Sequence, residues 1–330
     1  GGNVRDGFEA LLDKKESRYQ ILATKLSRKQ AEMIKEKDFT GIGFQETSQR
    51  VYPEGQLASQ VLGFVNSEGG QYGIEGSLND ELSGKDGQLK TVTDVSGIPL
   101  TIGTRDIDTP AEDGKNVVLS IDRNIQAQTE KILKAKLEAS GAKDGSVIVM
   151  DPQTGKIMAM ANYPTYNPSE YSKVQDGSVF SNGTTSSAYE NGSVIKSLTM
   201  AMGIDTGVAS ASATYYNKDY VEIEDRTIKN AVLGHTGTIT FQTAMNYSLN
   251  TGMVEIASRL GGGQINKTAR DTMYDYYHNR FGLGEKTGVE IYEEKGTVIS
   301  PEESEGNAVR YSNMSFGQGM NTTMIQTASA

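Results

Sequence analysis

Apolar residues punctuate the start of the chain at helix-like intervals. Phe8, Leu11 and Leu12, then Ile21 and Leu22, then Met33 and Ile34 recur through a charged stretch and predict helix. Thr40-Gly41-Ile42-Gly43-Phe44 ends that stretch and moves to extended chain. Val117-Val118-Leu119-Ser120-Ile121 predicts a strand and Asp122 a helix start, with Ile125, Ile132, Leu133 and Leu137 on one packing face. The runs Val147–Met150 and Ile157–Ala161 flank the turn residues Asp151-Pro152-Gln153-Thr154-Gly155 and predict a hairpin. Tyr163 to Ser187 is rich in Pro, Gly, Ser, Thr and Asn, which predicts a loop. It leads into an apolar helix bearing Ile195, Leu198, Met200, Ala201 and Met202. Phe241, Ala244 and Met245 predict a helix before a short link; Val254, Ile256, Ala257 and Leu260 predict another after it. Otherwise Thr199 to Ala330 reads as helix and loop, with no clear run of alternating strands.

The chain has 330 residues, enough for two domains with their own cores. Its pattern is α+β. Lys and Arg number 32 against 42 Asp and Glu, a net charge of −10, which argues against a nucleic-acid binder. There is no cysteine, so disulfides, thiolate chemistry and a cysteine-ligated metal are excluded. No run of ~18 apolar residues marks a membrane-spanning helix, and no signal peptide opens the sequence. Any membrane anchor is expected outside these residues.

Chemistry concentrates in Tyr189-Glu190-Asn191-Gly192-Ser193-Val194-Ile195-Lys196. Positions three apart share a helix face, so Lys196 falls one turn beneath the Ser193 hydroxyl. A hydroxyl with an amine at that distance is a candidate nucleophile with its base. Ser140-Gly141-Ala142-Lys143 has the same spacing but lies in a Gly-containing helix exit, whereas the Ser193 copy enters an apolar helix. The bland alternative makes Ser193 a helix cap and Lys196 a solvated side chain. Ser248 and Asn250 fall on the link between two helices, where side chains can enter a cleft. Ser77-Leu78-Asn79 repeats that pattern, and an unplaced copy is more often a cap or turn.

Taken in order, Tyr-Glu-x-Gly-Ser-x-x-Lys at 189–196 and Ser-x-Asn-Thr-Gly at 248–252 resemble the first two active-site motifs of the penicillin-recognising serine enzymes. Among these the chain resembles the class B penicillin-binding proteins, the monofunctional peptidoglycan DD-transpeptidases. Arg50-Val51-Tyr52-Pro53 to Gly63-Phe64, Gly73-Ile74-Glu75-Gly76, Leu82 to Gly87 and Ser120-Ile121-Asp122 resemble that family's pedestal. Asp151 to Pro164 and Ser315-Phe316-Gly317-Gln318-Gly319 resemble its transpeptidase domain. Asn191 stands where proline is usual, and Ile195 where an aromatic is usual. Lys286-Thr287-Gly288 has the letters of the third motif but not its context, and His235-Thr236-Gly237 precedes Ser248 and so falls in the wrong order.

The resemblance implies a pedestal, dimerisation-type domain over 1–142 and a penicillin-binding transpeptidase domain over 143–330. The latter would be an antiparallel sheet flanked by helices, its sheet incomplete here and its third motif beyond Ala330. It implies Ser193 as nucleophile, Lys196 as base, Ser248 passing a proton to the leaving group and Asn250 binding the donor peptide's amide. The implied substrates are peptidoglycan stem peptides, with β-lactam antibiotics as covalent inhibitors and no metal or cofactor. A membrane glycosyltransferase and other cell-wall assembly proteins would dock on the pedestal. The site of action would be the outer face of the bacterial cytoplasmic membrane. A β-lactamase or β-lactam sensor, and a catalytically silent cell-wall scaffold, are the alternatives.

Overall fold

A computed structural model describes residues 3–330 other than 15, 18, 46, 48 and 91–106. It divides into two compact units, Gly1–Pro53 and Glu54–Ala330. In the first, Asn3–Val4 pairs antiparallel with Ala23–Thr24. The helical stretch expected from Phe8 to Ile34 is instead two helices, Phe8–Leu12 and Arg28–Lys35. Ser27 ends the interruption: its side chain accepts from the Gln30 N–H while the Gln30 side chain accepts from the Ser27 N–H, a capping box.

Compaction does not divide at residue 142, because residues 54–142 pack with those that follow. The Gln60 amide donates to the Pro164 and Val179 carbonyls at 2.8 and 3.1 Å. Phe64 stacks on Tyr171 with centroids 4.3 Å apart, and Phe180 closes the same aromatic cluster. Short helices Ser59–Leu62, Gly73–Ser77 and Asn79–Ser83 surround the antiparallel pair Phe64–Asn66 and Gly69–Gln71.

Val117–Ile121 forms no strand, despite its β-branched residues. Beside it the Ser120 hydroxyl donates to the Ile157 carbonyl, and the Asp122 N–H to that of Met158. Those bonds end at Asp122, which caps the Arg123–Ser140 helix by accepting from the Asn124 and Ile125 N–H groups. Leu133 is buried on that helix, but Ile132 is 57% exposed and does not belong to the packing face. Gly145–Met150 and Ile157–Tyr163 form the expected hairpin, in register from Gly145↔Tyr163 to Met150↔Ile157 with one irregularity at Val149/Met150. Residues 163–187 are more ordered than loop composition implies. Asn167, Asp176 and Asn182 each cap a short helical turn, at Pro168–Lys173, Gly177–Phe180 and Gly183–Ser186.

The expectation of no clear strands after Thr199 is corrected. Thr214–Asn217 pairs with Gly237–Thr240, and Tyr220–Ile223 with Arg226–Lys229. Each is four residues long, too short to give a strong alternating signal. None of them joins the 145–163 hairpin. The main core is rich in methionine and tyrosine, with Ile195, Met202, Phe241, Leu249, Met253, Tyr277 and Tyr311 fully buried. A second cluster joins Val61 and Ile74 to Met160, Ile291 and Ile325, tying early, middle and late segments together. Among the described residues no helix is long and apolar enough to cross a membrane.

Besides the packing of Leu133, the Arg123–Ser140 helix is fastened to the hairpin by the side chain of Gln126. Buried Gln126 accepts from the Met160 N–H at 2.7 Å and donates to the Met160 carbonyl at 3.0 Å. Gln126→Leu leaves both backbone groups buried and unpaired, and is expected to lower stability by about 2–4 kcal/mol. A urea midpoint equal to that of the wild type would show that the amide pairing is not needed.

Candidate active site

The site is built from a turn, a helix and a link. Gly192 has φ +61, in the left-handed region, and its N–H donates to the Gly317 carbonyl at 2.9 Å. Ser193 follows in the 3₁₀ turn Gly192–Ile195, exposed, and its hydroxyl bonds to none of the described residues. Lys196 opens the helix Lys196–Asp205 one turn later and is only 2% exposed.

The Lys196 ammonium donates to the Ser248 carbonyl oxygen at 2.6 Å and to the Ser248 hydroxyl at 3.0 Å. No carboxylate among the described residues pairs with it. Burial, unopposed by an anion, brings its pKa from 10.5 down to about 8. About a tenth of the side chain is then neutral at pH 7. Two of the nitrogen's positions are taken by Ser248. The third is free to take a proton from a hydroxyl one turn away.

Ser248 sits on the link 247–249 between the helices Phe241–Asn246 and Asn250–Leu260. Its φ of +54 is uncommon for a residue with a Cβ. Neighbours hold it there: the Ser248 N–H donates to the Met245 carbonyl, and fully buried Leu249 donates to that of Ala244. Asn250, first in its helix, donates through Nδ2 to the Lys229 carbonyl at 2.9 Å. That bond fixes the amide plane and leaves Oδ1 able to accept. Behind it, the Asn230 side chain accepts from the Thr251 N–H, and the Thr251 hydroxyl donates to Asn217. Sequence reasoning found Ser248 and Asn250 but missed this backing from Lys229, Asn230 and Asn217. Its one local signal was Thr251, next to the Ser-x-Asn pattern.

The segment 315–319 clamps the residues before Ser193. The Gly319 N–H donates to the Glu190 carboxylate at 2.7 Å, and the Gly317 carbonyl holds Gly192. Asn191, unusual against the resemblance, is put to use. It accepts from the Thr322 hydroxyl at 2.5 Å and donates to that of Thr327 at 2.7 Å. Thr322–Thr323 in turn pairs with Ala188–Tyr189, the two residues that lead into the motif. Ile195, in the other unusual position, is fully buried in the main core.

The lookalikes have other roles. Lys286-Thr287-Gly288 lies in a loop rather than a strand. Buried Glu293 accepts from the Thr287 and Gly288 N–H groups at 2.8 and 3.1 Å, and Lys286 lies over the Tyr292 ring. The Ser140 hydroxyl donates to the Leu137 carbonyl at a helix end, and Asn79 accepts from the Gly70 N–H. The His235 carbonyl accepts from Asn217. Among the described residues no cluster of three or more His, Cys, Asp or Glu is placed to hold a metal ion.

Comparison with known proteins identifies the family of the chain. A family model described as the penicillin binding protein transpeptidase domain matches residues 145–330. One described as the penicillin-binding protein dimerisation domain matches residues 3–119. Stage V sporulation protein D of Bacillus subtilis is 32% identical over 310 residues, 93% of this chain and 46% of that protein. Peptidoglycan D,D-transpeptidase FtsI of Escherichia coli is 27% identical over 313 residues, 94% of this chain and 50% of that protein. The crystal structure of penicillin-binding protein 2X from Streptococcus thermophilus matches with a TM-score of 0.73 at 25% identity, covering 99% of this chain and 49% of that one. The chain spans about half the length of the curated relatives it matches.

The clamp on Gly192 can be tested with two glycines. A Cβ on Gly155, φ +71, meets nothing within 4 Å, so Gly155→Ala carries only the left-handed backbone penalty, about 1 kcal/mol. A Cβ on Gly317, φ +87, would stand 1.8 Å from the Gly192 carbonyl oxygen. Gly317→Ala is expected to cost at least about 3 kcal/mol in denaturant unfolding. Equal losses for the two variants would mean that segment 315–319 does not press on the turn.

Proposed function

The chain belongs to the family of penicillin-binding protein transpeptidase domains, whose model covers residues 145–330, and on that premise we propose that it is a peptidoglycan D,D-transpeptidase working through an acyl-enzyme on Ser193. The observation that carries this reading is the Lys196 ammonium, buried without a counter-charge and hydrogen-bonded to Ser248. A solvated or cap-type lysine has no reason to be there, because burying an unpaired cation is costly.

In the first step the Ser193 oxygen bonds to the carbonyl carbon between the two terminal D-alanines of a stem peptide, and its proton passes to Lys196. The carbonyl oxygen becomes an oxyanion. In this reading the Ser193 backbone N–H, in the first turn of the Gly192–Ile195 segment where donors lack intrahelical partners, receives it. The C–N bond then breaks. The Lys196 proton reaches the departing D-alanine amine through the Ser248 hydroxyl, 3.0 Å from the ammonium. Asn250, fixed by Lys229, accepts a hydrogen bond from the donor peptide's amide. In the second step an amine from a neighbouring stem peptide attacks the ester carbon, the bond to Ser193 breaks, and its oxygen recovers a proton. The product is a cross-link. A β-lactam enters by the same first step, but its leaving amine stays tethered and blocks the second.

In this reading the work divides near residue 142, with docking of a membrane glycosyltransferase and other cell-wall assembly proteins before it and chemistry after it. The substrate places the enzyme on the outer face of the cytoplasmic membrane. A scaffold without activity would leave the exposed Ser193 unmodified, and a β-lactamase would release the antibiotic quickly.

Labelling with a fluorescent penicillin tests the reading. Ser193→Ala should abolish covalent labelling, and Ser140→Ala should leave it intact; labelling that survives Ser193→Ala contradicts the nucleophile. Lys196→Ala should slow acylation by about 10²–10⁴, and Lys286→Ala by less than about threefold. Comparable losses at both lysines would put the base elsewhere. Because the base must be neutral, the acylation rate should rise with pH and level off above the Lys196 pKa of about 8. A rate independent of pH through that range would count against Lys196.

A further inference from the structure

Tyr277 is fully buried in the π-helical turn Asp275–Arg280, and its hydroxyl is deep in a core of methionine and aromatic side chains. A buried hydroxyl is costly unless it is hydrogen-bonded. This one has a single partner among the described residues, the Thr199 hydroxyl at 2.7 Å. Thr199 has one proton to give. It lies 2.7 Å from the Ser315 carbonyl and 3.2 Å from the Ile195 carbonyl, and carbonyls only accept. Thr199 therefore donates to a carbonyl, and the phenol donates to Thr199. Burial pushes the Tyr277 phenol far above its ordinary pKa, so that proton is always present.

The three groups in this relay stand on three elements. Thr199 lies one turn beyond Lys196 on the same helix face. Ser315 opens the segment whose Gly317 and Gly319 hold Gly192 and Glu190, the residues just before Ser193. A closed ring results: Gly192, Ser193, Lys196, Thr199, Ser315, Gly317 and back to Gly192. Of the three groups Tyr277 alone stands outside that ring, and it is bonded to it at Thr199. A π turn, which widens the helix by one residue, is a common device for aiming side chains near functional sites.

We propose that Tyr277 is a positioning residue for the nucleophile: by donating to Thr199 it locks the Lys196 helix against segment 315–319 and so sets the separation of the Ser193 hydroxyl from the Lys196 amine. The inference rests on the acyl-enzyme reading. It adds to that reading a part of the machinery that touches neither substrate nor reacting atoms. Misplacing a base relative to its nucleophile acts on the chemical step, not on initial binding.

Stopped-flow acylation by a fluorescent penicillin separates these effects, giving the pre-covalent dissociation constant, the acylation rate constant and the fraction of competent sites. Tyr277→Phe is expected to lower the acylation rate constant about tenfold, with the dissociation constant and competent fraction unchanged. The midpoint of its pH–rate profile is expected to move upward as the loosened helix admits water to Lys196. Thr199→Val should reproduce the loss, and the double variant should be no slower than the slower single one. Thr199→Ser, which keeps the hydroxyl, should retain the wild-type rate, and that comparison decides the matter if Tyr277→Phe fails to fold. A Tyr277→Phe enzyme that melts earlier but acylates at the wild-type rate and pH midpoint overturns the proposal while leaving Ser193 as nucleophile. Multiplicative losses in the double variant overturn it as well. A wild type that forms no Ser193 adduct overturns both readings together.

Discussion

The structure depends on burying an ammonium group without a counter-charge. Lys196 enters the core with no carboxylate beside it, and two hydrogen bonds to Ser248 replace its hydration. The sign of the consequence is fixed. Its folded pKa of about 8 lies below the ordinary 10.5, so the unfolded chain holds the proton more tightly. The resulting penalty is fully present below about pH 8 and is relieved as the pH rises towards 10.5. Stability is lost at neutral pH, and a base that can be neutral is obtained.

Much of the surrounding architecture serves to hold that cation's partner. Ser248 adopts a left-handed backbone because Leu249 is anchored in the core and the next helix starts at Asn250. The buried amides of Asn217 and Asn230 hold Thr251, and through it the start of that helix. On the other side, segment 315–319 grips the turn that presents Ser193. The turn that presents the nucleophile is thus held by one backbone bond and one bond to the Glu190 carboxylate, and the base by bonds to the carbonyl and hydroxyl of Ser248. Neither depends on an exposed salt bridge, which contributes little.

What was legible in the sequence was local. The Asp122 cap, the hairpin turn at Asp151–Gly155 and the Ser193–Lys196 spacing are each contained within a few residues, and each stands where the pattern placed it. The link carrying Ser248 was legible because helical periodicity stops on one side and resumes on the other. Features that depend on distant partners were not. Val117–Ile121 has strand-forming residues, but no neighbouring strand pairs with it. Tyr215 and Ile228 gave no strand signal because each lies in a four-residue strand. Lys286-Thr287-Gly288 shows the converse, a familiar set of letters whose amides are bound to Glu293. The clamp from 315–319 onto 190–192 joins segments more than a hundred residues apart, and no local pattern encodes it. Gln60 and Gln126, which reach across to residues 160–179, likewise join segments far apart in the chain.

The buried, uncompensated lysine can be observed directly. With lysine side chains isotopically labelled and the Lys196 resonance identified by its loss in Lys196→Arg, an NMR titration reads that one proton equilibrium without reference to any reaction. A midpoint near 8 is expected, well separated from the surface lysines. A midpoint at the ordinary 10.5 would contradict the account, because it would mean that Lys196 is solvated and that the site lacks its base.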